Sequence, residues 1–293
     1  MHPLHIVDVF AERRYSGNQL AVVLEQEALS GAQRQSIAQE MNFSETTFVT
    51  TRPEAGGAYR VAIFTPAEEL PFAGHPTLGT AWVIREHVAK DRPRQVRLHL
   101  GVGEVPVAFE TGPAGNELAW LTAPRIDLGP TCEPQRVLPS LGLTPGDLDP
   151  KGPVQQLSVG FSVLIVPVRS LAALTRIRPD PEAFARLRSE GLSPYLYVFC
   201  GQAHHSGNDL CARFFFEAQG VREDPATGSA TACLGAYLLR HRYYGKADLS
   251  LRIEQGYEIN RPSLLMLRAT ESGGASTIQV GGRVIPVAQG RLV

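Results

Sequence analysis

The amino-acid sequence predicts an α+β fold of two similar halves, each a curved, barrel-like, mostly antiparallel sheet wrapped around one central helix. Three observations carry this. The chain repeats a motif: Phe64-Thr-Pro-Ala-Glu-Glu-Leu-Pro-Phe-Ala-Gly-His-Pro-Thr-Leu-Gly-Thr-Ala-Trp and Phe216-Glu-Ala-Gln-Gly-Val-Arg-Glu-Asp-Pro-Ala-Thr-Gly-Ser-Ala-Thr-Ala-Cys-Leu-Gly-Ala-Tyr. Each copy runs from a strand-like stretch through a turn rich in Pro and Gly into a helix former. Strand patterns outnumber helix patterns, and many follow one another with no helix between them, which favours α+β over a doubly wound parallel sheet. At 293 residues the chain exceeds the size at which one core usually keeps growing.

The elements follow in a matching order. In the first half, Met1-His-Pro-Leu-His-Ile-Val-Asp-Val-Phe leads straight into a strand, and Asn18-Gln-Leu-Ala-Val-Val-Leu forms the next. A helix over Ser30 to Met41 precedes the strand Glu45-Thr-Thr-Phe-Val-Thr. Thr77-Leu-Gly-Thr-Ala-Trp-Val-Ile is apolar nearly all round, the mark of a buried helix, and Val96-Arg-Leu-His-Leu-Gly-Val-Gly follows it. The second half gives Phe161-Ser-Val-Leu-Ile-Val-Pro-Val, a helix over Pro181 to Ser189, and Tyr195-Leu-Tyr-Val-Phe-Cys. A second all-apolar helix, Thr231-Ala-Cys-Leu-Gly-Ala-Tyr-Leu-Leu, and the strand Leu251-Arg-Ile-Glu-Gln-Gly-Tyr-Glu complete it. The repeat unit of roughly 140 to 155 residues is far longer than a solenoid repeat. The halves are expected at 1–125 and 126–293, with a Pro- and Gly-dense linker near Thr122 to Pro153. The last strand, about 278–293, is a candidate to pack back on the first half.

Composition narrows the function classes. A net charge of -1 offers no broad basic field for nucleic acid or an anionic membrane. No apolar run reaches the length of a membrane span, about 20 residues. The N-terminus lacks a signal-peptide layout, so a cytoplasmic protein is expected. Cys132, Cys200, Cys211 and Cys233 contain no Cys-x-x-Cys pair and read as free thiols. Cys200, His204, His205 and Cys211 raise the question of a metal, but their spacing matches no structural zinc pattern and His204-His205 reads as a loop, so none is expected. No Gly-x-Gly-x-x-Gly or Gly-x-x-x-x-Gly-Lys-Ser/Thr run marks a nucleotide site.

Two buried helices that start in matching places suggest two halves facing one cleft, where small ligands bind. A helix N-terminus offers unpaired N–H groups and the positive end of the dipole to carboxylates. Gly74 and Gly228 would let a ligand approach that backbone, or would only shape turns. Such N-termini could hold an anionic substrate and stabilise an enolate-like charge. Glu45 is a general acid/base if burial tunes it, and otherwise an exposed strand end. His75 can donate a hydrogen bond or shuttle a proton, since histidine titrates near neutrality, or can be a structural first-turn residue. Asp224 is a second acid/base or the anchor of an Asx turn, and Ser229 bonds substrate or, on its residue type alone, caps the helix.

Together, Gly17-Asn18, Met41-Asn-Phe-Ser-Glu-Thr-Thr-Phe, Phe64-Thr-Pro, Phe72-Ala-Gly-His-Pro-Thr, Glu223-Asp-Pro-Ala-Thr-Gly-Ser-Ala and the terminal Val280-Gly-Gly-Arg-Val resemble the PhzF family of phenazine-biosynthesis-like isomerases. The resemblance spans essentially the whole chain. It implies the diaminopimelate epimerase fold, no cofactor, a small carboxylate substrate and a homodimer. It implies catalytic roles for Glu45, His75 and Asp224, and substrate contacts from Asn18, Gly74, Gly228 and Ser229. The family's type member isomerises trans-2,3-dihydro-3-hydroxyanthranilate, its glutamate taking a proton from one ring carbon and returning one to another. Racemases of the wider superfamily use two facing cysteines. Here the corresponding positions read as Ala73 and Ala226, which excludes two-thiol chemistry. The competing reading is a non-catalytic small-molecule-binding protein with an epimerase-like fold.

Overall fold

A computed structural model describes residues 1–112, 115–217 and 221–293. The Ala218–Gly220 part of the second motif lies outside the described residues. The chain divides into two units, Met1–Thr122 with Gly281–Val293, and Ala123–Val280.

The first unit begins with β1 (His2–Val9), β2 (Asn18–Glu25), α1 (Gly31–Met41), β3 (Glu45–Thr50) and β4 (Tyr59–Phe64). It continues with β5 (Glu69–Leu70), α2 (Gly74–His87), β6 (Gln95–Leu100), β7 (Gly103–Thr111) and β8 (Glu117–Thr122). Most pairings are antiparallel, but β2 runs parallel to β3 and β4 parallel to β6. Each parallel pair is bridged by a helix, as a parallel connection requires, α1 in the first case and α2 in the second.

The two helices are built differently. Ser30 caps α1 through a reciprocal capping box with Gln33, and Asn42 closes it in the left-handed conformation. Ala38 and Ile37 of α1 pack on Phe48 and Phe64 of the sheet. By contrast, α2 is buried through nearly its whole length and contacts β1, β2, β3, β6, β7 and β8. Leu78, Val83 and Ile84 are fully covered, worth about 1.5 to 3 kcal/mol each. Close seating depends on Gly79, where an added Cβ would lie 2.6 Å from Leu20 Cδ2 and 2.8 Å from Val9 Cγ2.

The second unit holds β9 (Asp127–Thr131), α3 (Pro134–Leu141), β10 (Gln155–Ser158), β11 (Ser162–Pro167), α4 (Leu171–Thr175) and α5 (Pro181–Ser189). Then come β12 (Leu196–Cys200), β13 (Leu210–Glu217), β14 (Val221–Asp224), α6 (Gly228–Arg240), β15 (Asp248–Gln255), β16 (Ser263–Ser272) and β17 (Ala275–Gly282). The final strand, β18 (Val284–Leu292), returns to the first unit and pairs antiparallel with β1. The repeat legible in the sequence is a repeat of topology. Strand β11 runs parallel to β12, and β13 parallel to β15, matching β2/β3 and β4/β6. Helix α6, buried from Gly228 to Leu239, occupies the place of α2 in the element order.

One expectation is corrected. The stretch read as a linker, Thr122 to Pro153, contains β9 and α3, and Val137, Leu138 and Leu141 of α3 lie in a core with Phe184 and Leu187 of α5. Pro139 inside α3 disguises its helical period, because proline is a breaker signal by residue type even where one turn tolerates it.

Candidate active site

Parallel pairing brings the first set of side chains together. Because β2 and β3 run the same way, their first residues, Asn18 and Glu45, stand at the same end of the sheet. Strand β4, antiparallel to β3, returns the chain to that end, where Thr46 pairs with Phe64, so α2 also starts there. Gly17 makes the approach to Asn18 possible. It has φ +71°, and a Cβ would sit 2.4 Å from the Val9 carbonyl oxygen.

His75, in the first turn of α2, faces Asn18 with Nδ1 3.2 Å from Nδ2, and places Nε2 3.4 Å from Glu45 Oε2. The His75 side chain is 5 % exposed and that of Glu45 15 %. Burial depresses the His75 pKa to about 3, against a hydrogen bond to the Gln19 backbone that works the other way. The imidazole is therefore neutral near pH 7. It can orient and hydrogen-bond, but it is no standing proton donor of the imidazolium kind.

The second set lies in the other unit. Asp224 ends β14, is buried, and its Oδ2 accepts a 2.6 Å hydrogen bond from Thr227 Oγ1. Thr227 is the N-cap residue of α6, so Ser229, also buried, sits inside the first turn and does not cap the helix. The cap reading is corrected for a plain reason: Gly228, not Ser229, is the first helical residue. Ala73 precedes Gly74 as Thr227 precedes Gly228, and none of Ala73, Ala226 and Thr227 offers a thiol.

Sequence reasoning missed what holds this second turn. Gln255, the fully buried last residue of β15, donates from Nε2 to the Asp224 carbonyl at 2.9 Å and to Thr227 Oγ1 at 3.0 Å. Its Oε1 accepts from Thr227 N at 3.2 Å and from the Tyr197 hydroxyl at 3.3 Å. Tyr197 in turn meets Thr231 Oγ1 at 2.8 Å. Thr227 was visible as the residue before Gly228. Gln255 carried no signal, since only strand pairing brings β15 to this turn.

The helices that begin at the predicted positions share one more property. Helices α1, α4 and α5 are capped by the side chains of Ser30, Ser170 and Asp180, whereas α2 and α6, like the short α3, have no side-chain cap and no acidic residue in the first turn. Both begin buried, at Gly74 and Gly228. Their first-turn N–H groups and positive dipole ends suit an anion.

The α+β frame, duplicated in topology, sets a half-buried carboxylate and a neutral imidazole at one uncapped helix start and a buried carboxylate and serine at the other. The chain belongs to the phenazine biosynthesis-like protein family (PhzC-PhzF), whose sequence profile matches residues 7–290, and it is an isomerase of the PhzF type. It is 37 % identical over 294 residues to the trans-2,3-dihydro-3-hydroxyanthranilate isomerase of Pseudomonas aeruginosa, covering 99 % of each chain. A PhzF-family phenazine biosynthesis protein from Bacillus anthracis superposes with a TM-score of 0.88 at 25 % identity, covering 100 % of this chain and 99 % of that one. A hydroxyproline epimerase from Agrobacterium vitis, at 11 % identity and a TM-score of 0.63 over 99 % of this chain and 91 % of that one, shares the fold.

Proposed function

We propose that this isomerase shifts a proton within a small carboxylate that bears an acidic C–H, with trans-2,3-dihydro-3-hydroxyanthranilate as the first candidate. The observation that carries the reading is the Glu45–His75 contact of 3.4 Å at the uncapped start of α2. Glu45 takes the proton from one carbon and returns one to another on the same face. His75, neutral and held by Asn18, orients the carboxyl group. Backbone N–H groups at Gly74 stabilise the charge that develops when the proton leaves. Gly228, Asp224 and Ser229 are further proposed as functional residues, as the family resemblance implies. The P. aeruginosa relative supports the candidate substrate by its name and full-length similarity. The protein is further proposed to act in the cytoplasm as a homodimer, which light scattering after gel filtration tests.

The chemical test is incubation with the candidate in deuterated water, followed by NMR, beside Glu45→Gln. Turnover with deuterium entering the product, lost in the variant, is the expected result. Turnover that persists in Glu45→Gln overturns the role of Glu45. A wild type inert toward this compound overturns the candidate substrate, and other small carboxylates with an acidic C–H are then screened in the same assay.

A further inference from the structure

The register of the second unit's sheet puts three metal-binding side-chain types on neighbouring strands. Strand β13 is flanked by β12 and β15, and Cys211 on β13 pairs directly with Cys200 on one side and Glu254 on the other. Directly paired residues project to the same face of a sheet. The loop from Gly201 to Asp209 then folds over this face. His204 and His205 donate their backbone N–H groups to Glu254 Oε2 and Oε1 at 2.6 and 3.0 Å. As a result one ligand atom each from His204, Cys211 and Glu254 lies within 4.8 Å of the others.

The arrangement has the supporting contacts expected of a built site. Glu254, 0 % exposed, is fixed through Oε1 by Asn208 Nδ2, His205 Nδ1 and the His205 N–H. Among the described residues its Oε2 accepts only the His204 N–H, which leaves this oxygen a lone pair to offer. The His204 ring is stacked on Tyr257 at 4.5 Å between centroids. Glu258 Oε1 lies 3.4 Å from His204 Nε2, and both Glu258 carboxylate oxygens are buried without a hydrogen-bond partner among the described residues. The nearby Arg213 guanidinium, 3.8 Å away, is already held by Glu223 through bonds of 2.9 and 2.6 Å. A buried carboxylate with so little compensation invites a cation.

We propose that Cys211, His204 and Glu254 bind one borderline divalent cation of the zinc class, with three protein ligands and one position open to water. Thiolate, imidazole and carboxylate together suit zinc or cobalt(II) better than magnesium or calcium. Binding exchanges the Cys211 S–H for a metal–sulfur bond, and the proton passes to solvent. The spacing showed no zinc signature because the third ligand comes from β15, far along the chain.

The test uses full-length protein dialysed against a chelator and then titrated with zinc sulfate by calorimetry, and separately with cobalt(II) chloride by absorption. The expected result is one equivalent of zinc, a binding heat that varies with the ionisation enthalpy of the buffer as release of the thiol proton requires, and a thiolate-to-cobalt charge-transfer band. Cys132→Ser retains the band and Cys211→Ser loses it. His204→Ala, a change at a partly exposed loop residue, weakens zinc binding at least tenfold while far-UV circular dichroism stays unchanged. Absence of stoichiometric binding, a cobalt spectrum without a thiolate band, or full affinity in His204→Ala overturns the site.

Discussion

Neutral His75 makes the stability of the first unit depend on pH in a definite direction. In the unfolded chain this imidazole takes up a proton near pH 6.5, whereas in the folded unit burial holds it unprotonated down to about pH 3. The unfolded state therefore binds more protons across that window, and folding stability falls as pH falls. The group's contribution is fully present above pH 6.5 and is lost progressively below it, at about 1.4 kcal/mol per pH unit. Between pH 7 and pH 5, before most carboxylates titrate, the loss comes to about 2 kcal/mol. The perturbation is His75→Gln, which removes the titration while keeping an amide near Asn18. Both tryptophans, Trp82 in α2 and Trp120 in β8, belong to the first unit, so their fluorescence in urea reports its unfolding. Wild type should lose about 2 kcal/mol more than the variant between pH 7 and pH 5, a midpoint difference of about 1 M for a slope of about 2 kcal/mol per M. His5, whose pKa burial and His87 lower to about 4, contributes to both proteins and cancels in the comparison. Parallel profiles would refute the neutral-histidine argument. A wild type that gains stability toward acid relative to the variant would show that Glu45 holds an imidazolium instead.

The remaining expectations concern the proposed chemistry and the packing beneath it. Glu45→Gln should lower turnover of a true substrate by about 10² to 10⁴-fold while leaving the urea midpoint of the first unit near that of wild type, which steady-state kinetics and fluorescence together check. Gln255→Leu takes a hydrogen-bond partner from the Asp224 carbonyl, the Thr227 N–H and the Tyr197 hydroxyl, and should cost about 2 to 4 kcal/mol, seen as faster amide exchange over residues 224–231. Unchanged exchange there would mean that the turn does not depend on this clamp. Gly79→Val should destabilise the first unit by about 1 to 3 kcal/mol, because even its Cβ would press Leu20 and Val9 on β2 and β1, and tryptophan fluorescence in urea reads the loss.

Much of the frame was legible because it is written in local chemistry. The helices expected over 30–41 and 181–189 form, and the structure adds their caps, Ser30 and Asp180; the buried helices α2 and α6 follow from all-apolar runs behind a glycine. His75, Asp224 and Ser229 stood out by residue type beside those helix starts, and Glu45 as the carboxylate that opens a strand. Their roles in the fold were less legible. Ser229 reads as a cap by composition, yet a helix that starts at Gly228 places it inside the first turn and gives the cap position to Thr227. The segment containing α3 reads as a linker because Pro139 masks a stripe whose partners lie on α5.

By itself the sequence determined the duplication, the α+β class, the two glycine-led helix starts and the set of ionisable residues near them. Each of these depends on residues close together along the chain. Only the tertiary structure decided the charge state of His75, which depends on the water excluded by everything packed around α2. It alone supplied Gln255 to the turn at Asp224 and set Cys211 beside Glu254. Those contacts are made by strand register, which joins residues far apart in the chain and leaves no trace in their spacing.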